Sequence, residues 1–246
     1  MSAIDPYWPF ALPPASLSGD EVHVWCASLD RPADHIARLT TILAEEERNR
    51  VARFHSLVAR NEFLVARSLL RILLGHYLNY EPSHLAFCVG PQGKPFLVGK
   101  PKLRFNVAHS HGLALFAVSL QCEVGVDVEQ VRPFANDLGI AERYFSRHEA
   151  EVLRSLAPEQ RCEVFFHTWA RKEAILKASG NGLALGLEGV EVSVTPEEEA
   201  RVLRVNGTAA EAQGWTLRAL TPAAGYVGAV ALPGTGVRLA CWHWPG

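Results

Sequence analysis

Asp127 and Glu129, two positions apart in "VGVDVE", are carboxylates whose spacing suggests chemistry. Successive side chains of a strand point to opposite faces, so Val124, Val126 and Val128 form an apolar face and Gly125, Asp127 and Glu129 line the other. Alone, that pattern more often describes a half-buried strand with a solvated acidic face. Another acid lies in "FFHTWARKEAILKASGNGL", where Trp169, Glu173 and Lys177 are spaced four apart and share one side of a helix. On spacing alone Glu173 and Lys177 are an ordinary surface pair. If Glu173 faces Asp127 and Glu129, the three repelling carboxylates require a hard divalent cation. Mg²⁺ suits them because it accepts carboxylate oxygens and leaves positions for phosphate. His109 and His111 in "HSH" could offer imidazoles to zinc, but no third ligand clearly matches them.

Candidate phosphate ligands precede the acids. Lys94 and Pro95 belong to "GPQGKP", where glycine permits close backbone approach and proline stiffens the turn. His109 and Ser110 end the strand-like "RFNVAHS", offering an imidazole and a hydroxyl, and Arg53 and Arg60 lie at the start of the long N-terminal helical region. Each alone reads as a solvated charge, and their value lies in convergence.

These residues must be positioned by a globular chain. It has 246 residues, 48% hydrophobic composition and a formal net charge of -2, enough to bury one large core or two smaller ones. That balance provides no global basic field for nonspecific nucleic-acid binding, so an anion site must be local. Five widely spaced cysteines without a CxxC argue against a disulfide framework and for a reducing compartment. The N-terminus lacks the pattern of a secretion signal, and "LALFAVSL" is too short to cross a bilayer, so the expected protein is cytoplasmic with no membrane partner.

Periodicity predicts a strand over 21–29, helical character through "RPADHIARLTTILAEEERNRVARF", and a helix in "NEFLVARSLLRILLGHYL" with Phe63, Ala66, Leu70, Leu73 and Tyr77 on one face. Short strands follow to residue 129, and a second cycle of helices and strands runs to 243. The cycles share an Arg-aromatic start, an "AR" early in the long helix and a glycine at its end. The reading is an α+β fold of two similar lobes related by a pseudo-twofold. It comprises an irregular N-terminal strap over 1–20, an N-terminal lobe over 21–120, a C-terminal lobe over 121–246, and a ligand cleft between the lobes.

"GVDVE" at 125–129 and "WARKEAILKASGNGL" at 169–183 resemble the two signature motifs of the Sfp-type 4′-phosphopantetheinyl transferases, including their spacing. "RVARF" at 50–54, "GKP" at 93–95, "FNVAHS" at 105–110 and "RYFSRHE" at 143–149 resemble accessory motifs in the expected order. The resemblance implies the phosphopantetheinyl transferase fold and transfer of the phosphopantetheine arm of coenzyme A to a serine of an apo acyl or peptidyl carrier protein. It also implies Mg²⁺ held by Asp127, Glu129 and Glu173, Lys177 on the pyrophosphate, and Glu149 or a metal-bound water as general base. Arg53, Arg60, Lys94, Pro95, His109, Ser110 and Lys172 match coenzyme A-binding positions, and Trp169 is expected mainly to pack its helix. One departure is Glu62, which falls where the family prototype carries an arginine, with Arg60 nearby. Because two lobes in one chain supply both sides of the cleft, a monomer is expected.

Overall fold

The computed structural model describes residues 8–12, 16–91, 93–99, 102–120, 122–180, 186–195 and 198–245. Its first half runs β1 (Glu21–Ser28), α1 (Ala33–Thr40), α2 (Glu45–Val51), α3 (Leu57–Leu78), β2 (Phe87–Val89), β3 (Pro95–Leu97), β4 (Leu103–Ser110) and β5 (Leu113–Leu120). The second half runs β6 (Gly125–Gln130), α4 (Asp137–Tyr144), α5 (Arg147–Ser155), α6 (Pro158–Ser179), β7 (Val190–Val192), β8 (Val202–Val205), α7 (Ala209–Ala212), β9 (Trp215–Leu220) and β10 (Tyr226–Pro233), and β11 (Arg238–His243) follows.

The halves repeat one topology. Each opens with a strand, passes through short helices into a 22-residue helix, makes a two-stranded hairpin, and closes with an antiparallel pair. The last strand of each pair returns to the opening strand, giving the orders β1-β5-β4 and β6-β10-β9. Both long helices stop at a left-handed residue, Asn79 (φ 48°) and Gly180 (φ 67°), where such a conformation frees the chain to turn away. This is the expected α+β fold of two similar lobes.

Two differences from the sequence reading have local causes. The helical stretch before residue 54 is two helices, because Leu43 turns into the core and Ala44 is extended, its N–H donating to Glu47 Oε2 (2.9 Å) to cap α2. The same Glu47 carboxylate accepts from Arg67 and from Arg71 Nε (2.6 Å), tying α2 to α3. The C-terminal lobe expected over 121–246 gives up its last strand, since β11 pairs in parallel with β1. Without it β1 would leave an unpaired sheet edge.

Four layers result. Helices α1 to α3 cover the outer face of the first sheet around Trp25, Leu70, Leu73 and Phe116. The two sheets pack face to face through Val24, Leu115, Val126 and Val230, and α6 lies on the outer face of the second sheet against Ala229 and Ala231. At the seam, edge strands β4 and β6 run side by side without a backbone ladder. The buried Asn106 side chain on β4 stitches them, its Oδ1 accepting from Val126 N (2.9 Å).

Candidate active site

Strand β6 carries the site because its two faces have different partners. Val124, Val126 and Val128 are buried between the sheets, and each contributes about 1.5 kcal/mol or more of apolar burial. On the other face, Gly125 leaves room for the α6 backbone. A Cβ there would lie 2.0 Å from Ala174 O and 2.4 Å from Ala178 N. Ala170, Ala174 and Ala178, all buried and four apart, form the strip of α6 facing the second sheet. This close approach brings Lys177, beside Ala178, up to Asp127, with Glu173 one turn earlier on α6.

Lys177 Nζ donates to Asp127 Oδ1 (2.6 Å) and to Val126 O (3.3 Å). Asp127 is 5% exposed, and its second oxygen, Oδ2, is buried without a hydrogen-bond partner. Across the lobe seam, Ser110 Oγ donates to Glu129 Oε2 (3.0 Å). Burial raises the pKa of all three carboxyls. Lys177 opposes the rise at Asp127, the neighbouring Asp127 charge adds to it at Glu129, and at Glu173 Lys177 opposes while Asp127 adds.

Among the described residues no three His, Cys, Asp or Glu side chains form a preformed metal-binding group. The ammonium of Lys177 occupies the cation-seeking side of Asp127 instead. The chemistry of the donor set still fits a hard divalent ion. Asp127 Oδ2 is a buried carboxylate oxygen without a hydrogen-bond partner, and Glu129 and Glu173 offer further hard oxygen donors of the kind Mg²⁺ takes.

The first lobe brings some of its candidates to this point and holds others away. Ser110 joins the carboxylates directly, and the exposed His109 ring lies beside it at the end of β4. Burial lowers the His109 pKa against the charge of the half-buried Glu62, while Lys177 lowers it further. Lys94 Nζ donates to Glu123 Oε2 (2.7 Å), Val124 O (2.9 Å) and Lys177 O (2.9 Å), fastening the hairpin loop to the start of β6 and the last turn of α6. Beside it a pocket of about 230 Å³ is lined by Lys94, Pro95, Phe96, Arg104, Phe105 and Gly180, among others. Arg53 and Arg60 are exposed, in the α2–α3 connection and the first turn of α3.

The comparisons with known proteins agree in kind with this arrangement. Residues 123–231 match the family model of the 4′-phosphopantetheinyl transferase superfamily, and residues 31–121 match a model of the N-terminal part of a 4′-phosphopantetheinyl transferase. The chain is 38% identical over 235 residues to the 4′-phosphopantetheinyl transferase HetI of Nostoc sp., covering 94% of this chain and 96% of that protein. The chain belongs to the 4′-phosphopantetheinyl transferase superfamily. It is also 31% identical over 166 residues to a 4′-phosphopantetheinyl transferase of Bacillus subtilis, covering 67% and 73% of the two chains. With Sfp of Bacillus subtilis strain 168 the identity is 27% over 176 residues, covering 71% and 77%.

In this phosphopantetheinyl transferase two expected site residues have other work, which corrects the sequence reading. Glu149 is fully buried. Its carboxylate accepts from Lys172 Nζ (2.5 Å), Val192 N (2.8 Å) and Ser146 N (2.7 Å), the last closing a capping box at the start of α5. The carboxylate is thus taken up by protein partners, whereas the expected general-base role needs an open path to a substrate hydroxyl. Lys172 is likewise fully buried and donates to Glu149 and Val190 O, so it cannot contact coenzyme A. The pair clamps α5 and α6 to β7. Trp169 stacks on Phe165 and leans on Phe145, a packing role.

Sequence reasoning missed Asn106, Glu123 and Tyr226, and gave Gly125 no purpose beyond its face of the strand. The signal for Gly125 was present, since a glycine inside a strand marks close backbone approach. Asn106 in an otherwise apolar strand was a second signal.

Proposed function

We propose that this chain transfers the 4′-phosphopantetheine arm of coenzyme A to a serine of an apo acyl or peptidyl carrier protein, releasing adenosine 3′,5′-bisphosphate, in a Mg²⁺-dependent reaction. The observation that carries this reading is the Lys177–Asp127 pair on α6 and β6, with Glu129 two residues along β6 held by Ser110 of the other lobe, in a member of this superfamily.

Asp127, Glu129 and Glu173 would hold the cation, which when bound would offset charge on the pyrophosphate as the leaving group departs. The chain's own residues supply the rest. Lys177 holds an ammonium beside Asp127, ready to pair with the leaving phosphate oxygen or give it a proton. Ser110 orients Glu129 from the opposite lobe. Lys94, Pro95, His109, Ser110, Arg53 and Arg60 are the proposed coenzyme A-binding residues. One chain supplies both lobes, which supports action as a monomer, and none of the helices among the described residues is long and apolar enough to cross a membrane.

Intact mass spectrometry of an apo carrier protein incubated with this chain, coenzyme A and Mg²⁺ tests the reading. The expected result is a carrier heavier by one phosphopantetheine arm, lost with chelator. Breakdown of coenzyme A with no mass added to several unrelated carriers would overturn it in favour of a hydrolase.

A further inference from the structure

The turn joining β4 to β5 has two central residues, His111 and Gly112, both at positive φ (45° and 83°), between the paired Ser110 and Leu113. Such a turn follows the twist of the strands it joins. Glycine adopts this backbone freely, whereas histidine does so only where its surroundings hold it. Two contacts hold this turn. Leu29 N donates to Gly112 O (2.7 Å), and the Tyr226 hydroxyl, reaching across the lobe seam from the first residue of β10, donates to His111 O (2.6 Å).

The residue before the turn is Ser110, whose hydroxyl donates to Glu129 Oε2 (3.0 Å), accepts from Gln130 N (3.3 Å) and lies 3.0 Å from His111 Nδ1. Gln130 is also the direct strand partner of Tyr226, and its Nε2 donates to the Tyr226 hydroxyl (3.5 Å). The contacts close a ring from Tyr226 through His111, Ser110 and Gln130 back to Tyr226, with Glu129 fastened to its inner edge. Glu129 needs fastening, because an ionised Glu129 is repelled by Asp127 and by Glu173 and gains hydration by swinging outward. Its neutral tether comes from the other lobe.

We propose that Tyr226 is a positioning residue for Glu129: its hydroxyl pins the His111 turn, and the pinned turn holds Ser110 where it can donate to the Glu129 carboxylate. Tyr226 touches neither substrate nor cation in this role. The inference rests on the reading of Glu129 as a cation ligand given above.

The test is Tyr226→Phe, which removes one hydroxyl and keeps the ring. Binding of Mn²⁺ is followed by the electron paramagnetic resonance of the free ion with coenzyme A present, against a protein-free control. The expected result is about tenfold weaker protein-bound Mn²⁺, the loss typical of outer-shell partners, with an unchanged thermal midpoint. Ser110→Ala should show a similar loss, and the double variant no further loss, because Tyr226 acts through Ser110. Wild-type Mn²⁺ affinity in Tyr226→Phe, or losses that add in full, would overturn the positioning role and leave the metal reading intact. Failure of the wild-type protein itself to bind Mn²⁺ above the control would overturn both.

Discussion

Lys177 Nζ stands 2.6 Å from Asp127 Oδ1, joining the last turn of α6 to the middle of β6. The pair is uneven. Asp127 is buried and Lys177 retains about a third of its side-chain exposure, so the lysine is the member that faces solvent. Lys177 is therefore the partner with access to an incoming phosphate.

Substitution should separate the two roles. Lys177→Ala is expected to lower kcat by about tenfold or more with a smaller rise in KM for coenzyme A, because its ammonium acts on charge that develops during the reaction. Asp127→Asn keeps the shape and is expected to lose turnover by roughly 100-fold with a native-like circular dichroism spectrum. Unchanged turnover in Asp127→Asn would remove the metal assignment.

Gly125→Ala should be among the most damaging single-methyl changes in the chain. The added Cβ meets helix backbone at 2.0 Å, which no rotamer change relieves, so α6 must lift from β6. A loss of about 1–3 kcal/mol in urea unfolding is expected, together with loss of transfer in the fraction that remains folded. Full activity would show that the register of α6 on β6 does not set the site.

The Glu149–Lys172 pair makes an opposite prediction. Glu149→Ala leaves a buried ammonium unpaired and should cost about 3–5 kcal/mol, whereas replacing both members with methionine should restore much of that stability. If the double variant folds and still transfers, Glu149 is structural. A well-folded double variant with no turnover, beside intact coenzyme A binding, would return Glu149 to the chemistry.

Stability should also fall with acid through His23. Trp25 Nε1 donates to the Tyr77 hydroxyl (3.0 Å), which leaves that hydroxyl its own proton to give to His23 Nδ1 (2.7 Å). Burial lowers the His23 pKa from 6.5, with Glu21 opposing. Between that lowered value and 6.5 the unfolded chain binds more protons than the folded one. Stability from this group is therefore complete above 6.5 and lost as pH falls through the window. His23→Gln should flatten that part of a denaturation profile, and an unaltered slope would count against it.

Thiol chemistry offers an independent check of the packing. Burial pushes the Cys26 and Cys241 thiols up to about 12, and both lie in the core between the sheets. Cys88 is exposed on β2. An aromatic disulfide reagent at mildly alkaline pH should label Cys88 rapidly, and Cys26 and Cys241 only after unfolding. Rapid labelling of Cys241 would mean that β11 does not stay on β1.

The local residue pattern was sufficient for most of the elements and for the face of β6 that carries Asp127 and Glu129. Alternation made β6 a strand with Asp127 and Glu129 on one face, and fourfold spacing put Glu173 beside Lys177, because both periods follow from backbone geometry. The repeated cycle of long helix, hairpin and strands was likewise legible in order. Tertiary structure decided which charges meet. Lys172 and Lys177 are both lysines on one helix, yet Lys172 faces a buried carboxylate under β7 and Lys177 faces Asp127, a difference set by how α6 rotates on the alanine strip against Gly125. Glu149 carries the same charge as Glu173, but its position at N3 of α5 commits it to capping and to Lys172. Asn106 and Tyr226 gained their roles only when two lobes distant in sequence were laid edge to edge, for hydrogen bonds across such a seam depend on packing rather than on local period.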